Sequence, residues 1–213
     1  MGLDHLIKLQ NDLVKKLVLK DRLGKIETIG GADLAYEGDA VFSSIIVLDY
    51  GTLEILDKIT VKTRTDFPYI PTFLSFREIE PIKDALKALR INPDILLIDG
   101  HGIAHPRRMG IASHLGVLLN IATIGVAKRL LCGDIKGKME LGKALPIIRN
   151  KEQVGWAVKT KKGTNPIYIS PGNRVSLDSS LKIVLHCIKK HKLPEPSRLA
   201  HESATKAKRG DKV

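Results

Sequence analysis

Apolar residues recur at Leu6, Leu9, Leu13 and Leu17, with Ile7, Val14 and Val18 widening the stripe, and this spacing predicts an amphipathic helix over Leu3–Lys20. The pattern then changes period. A strand is predicted over Ile26–Leu34. Two further stretches rich in Val, Ile and Thr, Ala40–Asp49 and Thr52–Thr63, flank the turn Asp49-Tyr50-Gly51-Thr52, so an antiparallel meander follows. A helix over Thr72–Leu89 comes next, then the apolar run Ile95–Ile98 between Asp94 and Asp99, which reads as a strand buried on both faces. Met109–Asn120 reads as a helix, Ile121–Val126 as a second parallel strand, and Cys132–Asn150 as an irregular excursion of glycine and lysine. Val154–Thr160 and Pro166–Ser170 flank a basic hairpin tip, Lys161-Lys162-Gly163-Thr164-Asn165, and Pro171-Gly172-Asn173 is expected to end the second of them. Leu177–Lys190 returns to helical spacing. A last helical turn starts within Leu193–His201 with Ser197 as its cap, and the basic stretch Lys206–Val213 is expected to be a mobile tail.

This order of elements predicts an α/β fold: a mixed β-sheet flanked by helices, its first three strands antiparallel and the later two parallel. A length of 213 residues is that of one domain. Lysine and arginine outnumber the acids 35 to 23, a net charge of +12, which favours a polyanionic partner, either nucleic acid or an anionic membrane surface. Lysine-rich surfaces also serve solubility alone. No apolar run is long enough to span a membrane, and the first residues lack the layout of a secretory signal. Cys132 and Cys187 form no C-x-x-C pair, so the expectation is a cytoplasmic protein with reduced thiols. Neither a Walker phosphate loop nor a zinc-type Cys/His cluster is present, which removes ATPases and zinc enzymes from consideration.

The chemistry concentrates in Ile95–Arg108. A buried strand delivers Asp99 to its end, Gly100 and Gly102 allow close approach of a ligand, and His105, Arg107 and Arg108 add a titratable ring and two anion-binding forks. The bland reading makes Asp99 the N-cap of a following helix. Asp33 is a second carboxylate at a strand end, preceded by Gly30, Gly31 and Ala32 as if bulk were unwelcome. Glu78 falls on the same helix face as Leu74, Ile82 and Leu86 and needs a partner there, a lysine or a metal. Lys128, at the exit of the second parallel strand, is expected near Asp99, because ligands of open α/β sheets gather at the carboxyl ends of parallel strands. His201 is either a fourth site residue or a solvent-facing ring. In Asp66–Glu78, two prolines stiffen a loop carrying Phe67, Tyr69 and Phe73, which serves either as a wedge between bases or as a plug for the core.

Several motifs in order resemble the endonuclease V family of deoxyinosine-specific nucleases. They are Gly31-Ala32-Asp33, Pro68-Tyr69-Ile70-Pro71, Phe76-Arg77-Glu78, the run Ile98–Arg108, Ala112-Ser113-His114-Leu115-Gly116 and Gly125-Val126-Ala127-Lys128, with a weaker match at Arg198-Leu199-Ala200-His201. The resemblance implies a ribonuclease H-like fold and metal-dependent nicking of DNA at the second phosphodiester bond 3′ of deoxyinosine, leaving 3′-hydroxyl and 5′-phosphate ends. It implies that Asp33, Glu78 and Asp99 hold the metal, with His201 closing the site and Lys128 at the point of cleavage. Tyr69, within Pro68-Tyr69-Ile70-Pro71, matches the wedge that fills the gap left by the lesion. Gly100, Gly102, Ile103 and His105, walled by Leu74 and Ile111, match the pocket for the flipped base. The residue between the two glycines is His101, where the family motif often has glutamine. Three converging carboxylates repel unless a divalent cation neutralises them, and hard oxygen ligands select Mg²⁺, with Mn²⁺ able to substitute. The alternatives are a ribonuclease acting on inosine-containing RNA, a broader structure-specific nuclease of this fold, and a non-enzymatic nucleic-acid binding module. The protein is expected to act as a monomer without a membrane partner.

Overall fold

The computed structural model describes residues 2–211. In chain order the elements are α1 (Leu3–Val14), β1 (Thr28–Glu37), β2 (Ala40–Asp49), β3 (Ile55–Arg64), α2 (Leu74–Ala88), β4 (Ile95–Ile98), α3 (Ile111–Leu119), β5 (Thr123–Ala127), β6 (Asp134–Ile135), β7 (Ala144–Arg149), β8 (Glu152–Val158), β9 (Ile167–Asn173), α4 (Leu177–His186) and α5 (Glu195–Arg209). They build one mixed sheet in the order β3-β2-β1-β4-β5-β9-β8-β7-β6. β1, β2 and β3 form the expected meander, and β4 lies parallel to both β1 and β5.

The unbroken apolar run of β4 is explained by its place at the middle of two cores. Ile95 and Leu97 enter a cluster with Ile29, Ile124 and Val184, while Leu96 and Ile98 enter one with Ile82 and Leu115. Helices α2 and α3 therefore cover one face of the sheet and α4 and α5 the other. The parallel register pairs Ala32 with Ile98, so the next residue on each strand, Asp33 and Asp99, emerges side by side at the carboxyl edge. Gly31 admits α5 to this edge: a Cβ there would lie 2.2 Å from the Pro196 carbonyl carbon.

Several expectations are corrected. The first helix stops at Val14, because Val18 donates its N–H to Asn173 Oδ1 (3.1 Å) and Arg174 donates its own to the Val18 carbonyl (2.6 Å). Leu17, which extended the helical spacing, instead joins a third cluster with Leu19, Ile103 and Val154. Cys132–Asn150 is not wholly irregular: β6 and β7 extend the sheet, and their pairing with each other and with β8 is masked in the sequence by Gly137 and Gly142, both at positive φ. Pro171-Gly172-Asn173 continues β9 against β5, the missing proline N–H being accommodated by a register shift opposite Thr123 and Ile124. The helix expected to reach Lys190 ends at His186. The last helix is capped at Pro194, and Ser197, expected as its cap, is buried with its Oγ unpartnered. Lys206–Arg209, expected in a mobile tail, form the final turn of α5, where positive charge suits the helix C-terminus. Lys212 and Val213, the end of that expected tail, lie outside the described residues. Among the described residues no helix is long and apolar enough to cross a membrane.

Candidate active site

Side chains alternate across β1, so Ala32 faces α2 while Asp33 faces α5. There His201 Nδ1 donates to Asp33 Oδ2 at 2.6 Å, and this bond raises the His201 pKa above its ordinary value. Lys128, leaving β5, places Nζ 2.6 Å from Asp99 Oδ2 and 3.7 Å from Asp33 Oδ2. Burial opposes its charge, yet the two carboxylates hold the Lys128 pKa above normal. Glu78 arrives from the opposite face on α2, only 6% exposed, and Tyr36 donates its hydroxyl to Glu78 Oε1 at 2.8 Å. Burial, then the charges of Asp99 and Asp33, push the Glu78 carboxyl up to about 8. Asp99 is likewise raised, by burial first and by Asp33 second. Among the described residues, no three acidic, histidine or cysteine side chains already converge as ligands of one ion. The donor set nevertheless fits a hard divalent cation: three carboxylates, two of them held back from ionising by burial and by one another. Asp99 caps no helix, since α3 begins at Gly110, and no lysine pairs with Glu78 among the described residues.

Beside the acids lies a cavity of about 300 Å³ whose walls include Tyr69, Leu74, Gly100, His101, His105 and Ile111. Gly102 and Ile103, expected in the pocket, stand behind this wall. A Cβ on Gly102 would lie 2.0 Å from the Pro171 carbonyl oxygen, and Ile103 is buried in the third core cluster. Both rings of the pocket are neutral, because burial lowers the His101 and His105 pKa values to about 4. His101 Nε2 donates to the Arg129 carbonyl at 3.0 Å, leaving Nδ1 without a partner. His105 is fully engaged, Nε2 with the Thr72 carbonyl (3.0 Å) and Nδ1 with the Arg107 N–H (3.2 Å).

The aromatic loop divides its labour. Phe73 is buried, and the half-buried Phe67 and Phe76 stack on one another at 6.0 Å between ring centres, so these rings pack together between the loop and the start of α2. Tyr69, between Pro68 and Ile70, stands 71% exposed at the mouth of the cavity. Pro71 lines the same mouth. The loop is anchored at Thr72, a β-branched residue at φ +70°. Its carbonyl accepts from Gln10 Nε2 (3.1 Å), His105 Nε2 (3.0 Å) and Arg107 Nη2 (3.1 Å), and Arg107 Nε donates to the buried Gln10 Oε1. Such convergence is what sustains a strained backbone.

A family model for endonuclease V matches residues 11–202. Endonuclease V of Roseiflexus sp. (strain RS-1) is 42% identical over 198 residues, covering 92% of this chain and 89% of that protein. This chain belongs to the endonuclease V family. The crystal structure of the Bacillus subtilis endonuclease V superposes with a TM-score of 0.92 at 33% identity, covering 99% of this chain and 93% of that one. That of Ciona intestinalis endonuclease V, in complex with a 24mer DNA containing an inosine followed by a ribo-adenosine, superposes with a TM-score of 0.88 at 33% identity, covering 98% of each chain. The protein is thus a member of a family of nucleases with a mixed α/β fold.

Within this endonuclease V fold, Asp33, Glu78, Asp99, Lys128 and His201 meet at one edge of the sheet, and Tyr69, Leu74, Gly100, His105 and Ile111 meet at the adjoining cavity. Sequence reasoning passed over Tyr36, the hydrogen-bond donor to Glu78, because alternation along β1 puts it on the face opposite Asp33. It marked His101 only as a departure from the family motif between the two glycines, and it left out Met109 and Arg129-Leu130-Leu131 of the cavity wall. Their one signal was position, directly beside Asp99, α3 and Lys128.

Proposed function

We propose that the protein is a DNA repair endonuclease that binds deoxyinosine in DNA and hydrolyses the second phosphodiester bond on its 3′ side, leaving 3′-hydroxyl and 5′-phosphate ends. The observation that carries this reading is the adjacency of three carboxylates, Lys128 and His201 to a cavity with an exposed aromatic side chain at its mouth. Asp33, Glu78 and Asp99 would hold a divalent cation, Mg²⁺ with Mn²⁺ as a substitute. Bound there, the cation supplies Lewis acidity to the scissile phosphate and lowers the pKa of an attacking water. Lys128 brings positive charge to the phosphate, and His201, whose bond to Asp33 raises its pKa, orients that carboxylate. Tyr36 fixes the direction of Glu78.

Tyr69 stacks in the place of the displaced nucleotide, while Pro68, Ile70 and Pro71 keep the loop rigid. The cavity of about 300 Å³ is small for a binding pocket, and it takes a flipped purine base between Leu74, Ile111 and the backbone at Gly100. Gly102 and Ile103 support that wall from behind. Hypoxanthine lacks the exocyclic amino groups of adenine and guanine, so a close-fitting wall distinguishes it by exclusion. The inosine-containing DNA bound by the Ciona relative supports this assignment. The ribo-adenosine in that ligand favours, as a second reading, action on inosine-containing RNA. We further propose that the chain acts as one catalytic domain, as a monomer, in the cytoplasm, where its two free cysteines stay reduced.

The test uses end-labelled oligonucleotides carrying one deoxyinosine or one riboinosine, with Mg²⁺ or chelator, beside Asp99→Ala. A Mg²⁺-dependent nick at the second bond 3′ of deoxyinosine, lost in the variant, is expected. Cleavage confined to RNA would establish the second reading, and binding without cleavage of either substrate would overturn both.

A further inference from the structure

The hairpin tip Lys161–Asn165 is far in sequence from the acids, yet the fold carries it to their side. Thr160 donates its hydroxyl to the Lys192 carbonyl at 2.6 Å, which ties the end of β8 to the segment preceding α5. Between them runs an open groove of about 370 Å³, walled by Lys128, Lys161, Thr164, His191, Lys192 and the Arg198–Glu202 side of α5. The acid on this wall, Glu202, is already paired with Arg198 at 2.6 Å. Lys161 and Lys192 have no carboxylate partner among the described residues. The groove therefore presents uncompensated positive charge, its tip held by the Thr164 hydroxyl, which donates to the Lys161 carbonyl at 2.9 Å.

Its position gives that charge a direction. Lys128 and Arg129 are neighbours at the exit of β5, but Lys128 lines the groove while Arg129 lines the cavity beside Tyr69. Asp33 and Asp99, both in contact with Lys128, lie at the junction of the two. A strand whose extruded base occupies the cavity and whose backbone passes the acids continues into the groove. Since the proposed cut lies 3′ of the lesion, what enters the groove is the 3′ flank.

We propose that Lys161, His191 and Lys192 form a binding track for the backbone phosphates of the cleaved strand on the 3′ side of the scissile bond. This rests on the cleavage polarity proposed above. The track reads charge and spacing and makes no base-edge contact, so it is indifferent to sequence.

The experiment compares two deoxyinosine oligonucleotides identical on the 5′ side, one ending a single nucleotide beyond the cut and one extended by about six nucleotides. For the wild type the extension is expected to lower KM about tenfold with little change in the single-turnover rate at saturation. In the double variant Lys161→Ala/Lys192→Ala the ratio of the two KM values should fall towards one. The salt dependence of binding to the long oligonucleotide should flatten by roughly 0.7 in log–log slope for each lysine removed. Lys8→Ala/Lys16→Ala, which removes the same charge from exposed positions on α1 and just beyond its end, should keep the wild-type ratio and slope. Equal benefit from the extension in wild type and the Lys161/Lys192 variant, or an unchanged salt slope, would overturn the track. If the wild type nicks neither oligonucleotide, the cleavage reading has failed instead. The salt slope for binding an uncut single strand then decides the track by itself.

Discussion

Glu78 is the side chain most out of keeping with its surroundings. Its carboxyl is pushed up to about 8 from an ordinary 4.5 by burial, then by Asp99 and Asp33, while the Tyr36 hydroxyl acts in the opposite sense. Between about 4.5 and about 8 the folded state therefore holds a proton that the unfolded chain has released, so the stability contributed by the metal-free Glu78 carboxyl falls as pH rises through this interval. Asp99 and His201, both raised, add loss of the same sign, while His101, His105 and His114, lowered to about 4 by burial, add a gain between about 4 and 6.5, so it is the difference between wild type and Glu78→Gln that isolates the carboxyl. In chelator the thermal midpoint of the wild type, taken relative to that of Glu78→Gln at the same pH, is expected to drop across this interval. Added Mg²⁺ should recover the wild-type midpoint increasingly towards the alkaline end. A difference between the two midpoints that stays level with pH would remove Glu78 as the titrating group. Tyr69 sits at the other extreme, exposed and without a structural task. Tyr69→Ala should weaken binding to a deoxyinosine site about tenfold or more, as the loss of one base–aromatic stack does. The Mg²⁺-induced midpoint shift should stay intact, and full lesion affinity measured by fluorescence anisotropy would rule out the wedge.

Helix α1 contributes no acid to the site, but its buried Gln10 reaches from the Thr72 carbonyl to the Met109 carbonyl and accepts from Arg107. It thereby joins the wedge loop to the wall of the cavity, with Arg107 also lying 4.5 Å over the Phe73 ring. Truncating Gln10 leaves these groups short of partners, a cost of about 1–3 kcal/mol. Gln10→Ala is expected to lower the thermal midpoint and to raise KM for the lesion substrate more than it lowers kcat. An unchanged KM together with a lowered midpoint would mean that Gln10 stabilises the fold without setting the loop. The element pattern also marks where sequence reading loses its grip. Helical spacing through Leu17 looked like more of α1, and only the bonds linking Val18 to Asn173 and Arg174 reveal that this leucine serves another cluster. Periodicity records that a residue is buried; it does not record against what.

The whole molecule is organised about β4, whose side chains divide between the two faces of the sheet. Leu97→Ala should cost about 2–5 kcal/mol of unfolding free energy, since the cavity it leaves is walled by strands that cannot close over it. Ile55→Ala, at a position 51% exposed, should cost within about 0.5 kcal/mol under the same denaturant titration. Similar losses in the two variants would contradict the central position of β4.

Sequence by itself determined the meander, the doubly buried strand with Asp99 at its end, the identities of the three acids and the stiff loop bearing Tyr69. Each of these is written in a local pattern: alternation, an unbroken apolar run, a strand-end acid, paired prolines. Tertiary structure decided what meets. The Ala32–Ile98 register sets Asp33 beside Asp99, α2 brings Glu78 from the opposite face, and α5 carries His201 to Asp33 across 168 positions of chain. Tertiary pairing also made strands of β6 and β7, moved Gly102 and Ile103 behind the cavity wall, and turned a basic hairpin tip into one side of a groove. The physical reason is common to all of them. A side chain's propensity depends on its near neighbours, whereas its partner comes from a distant segment that only the closed sheet brings within bonding distance.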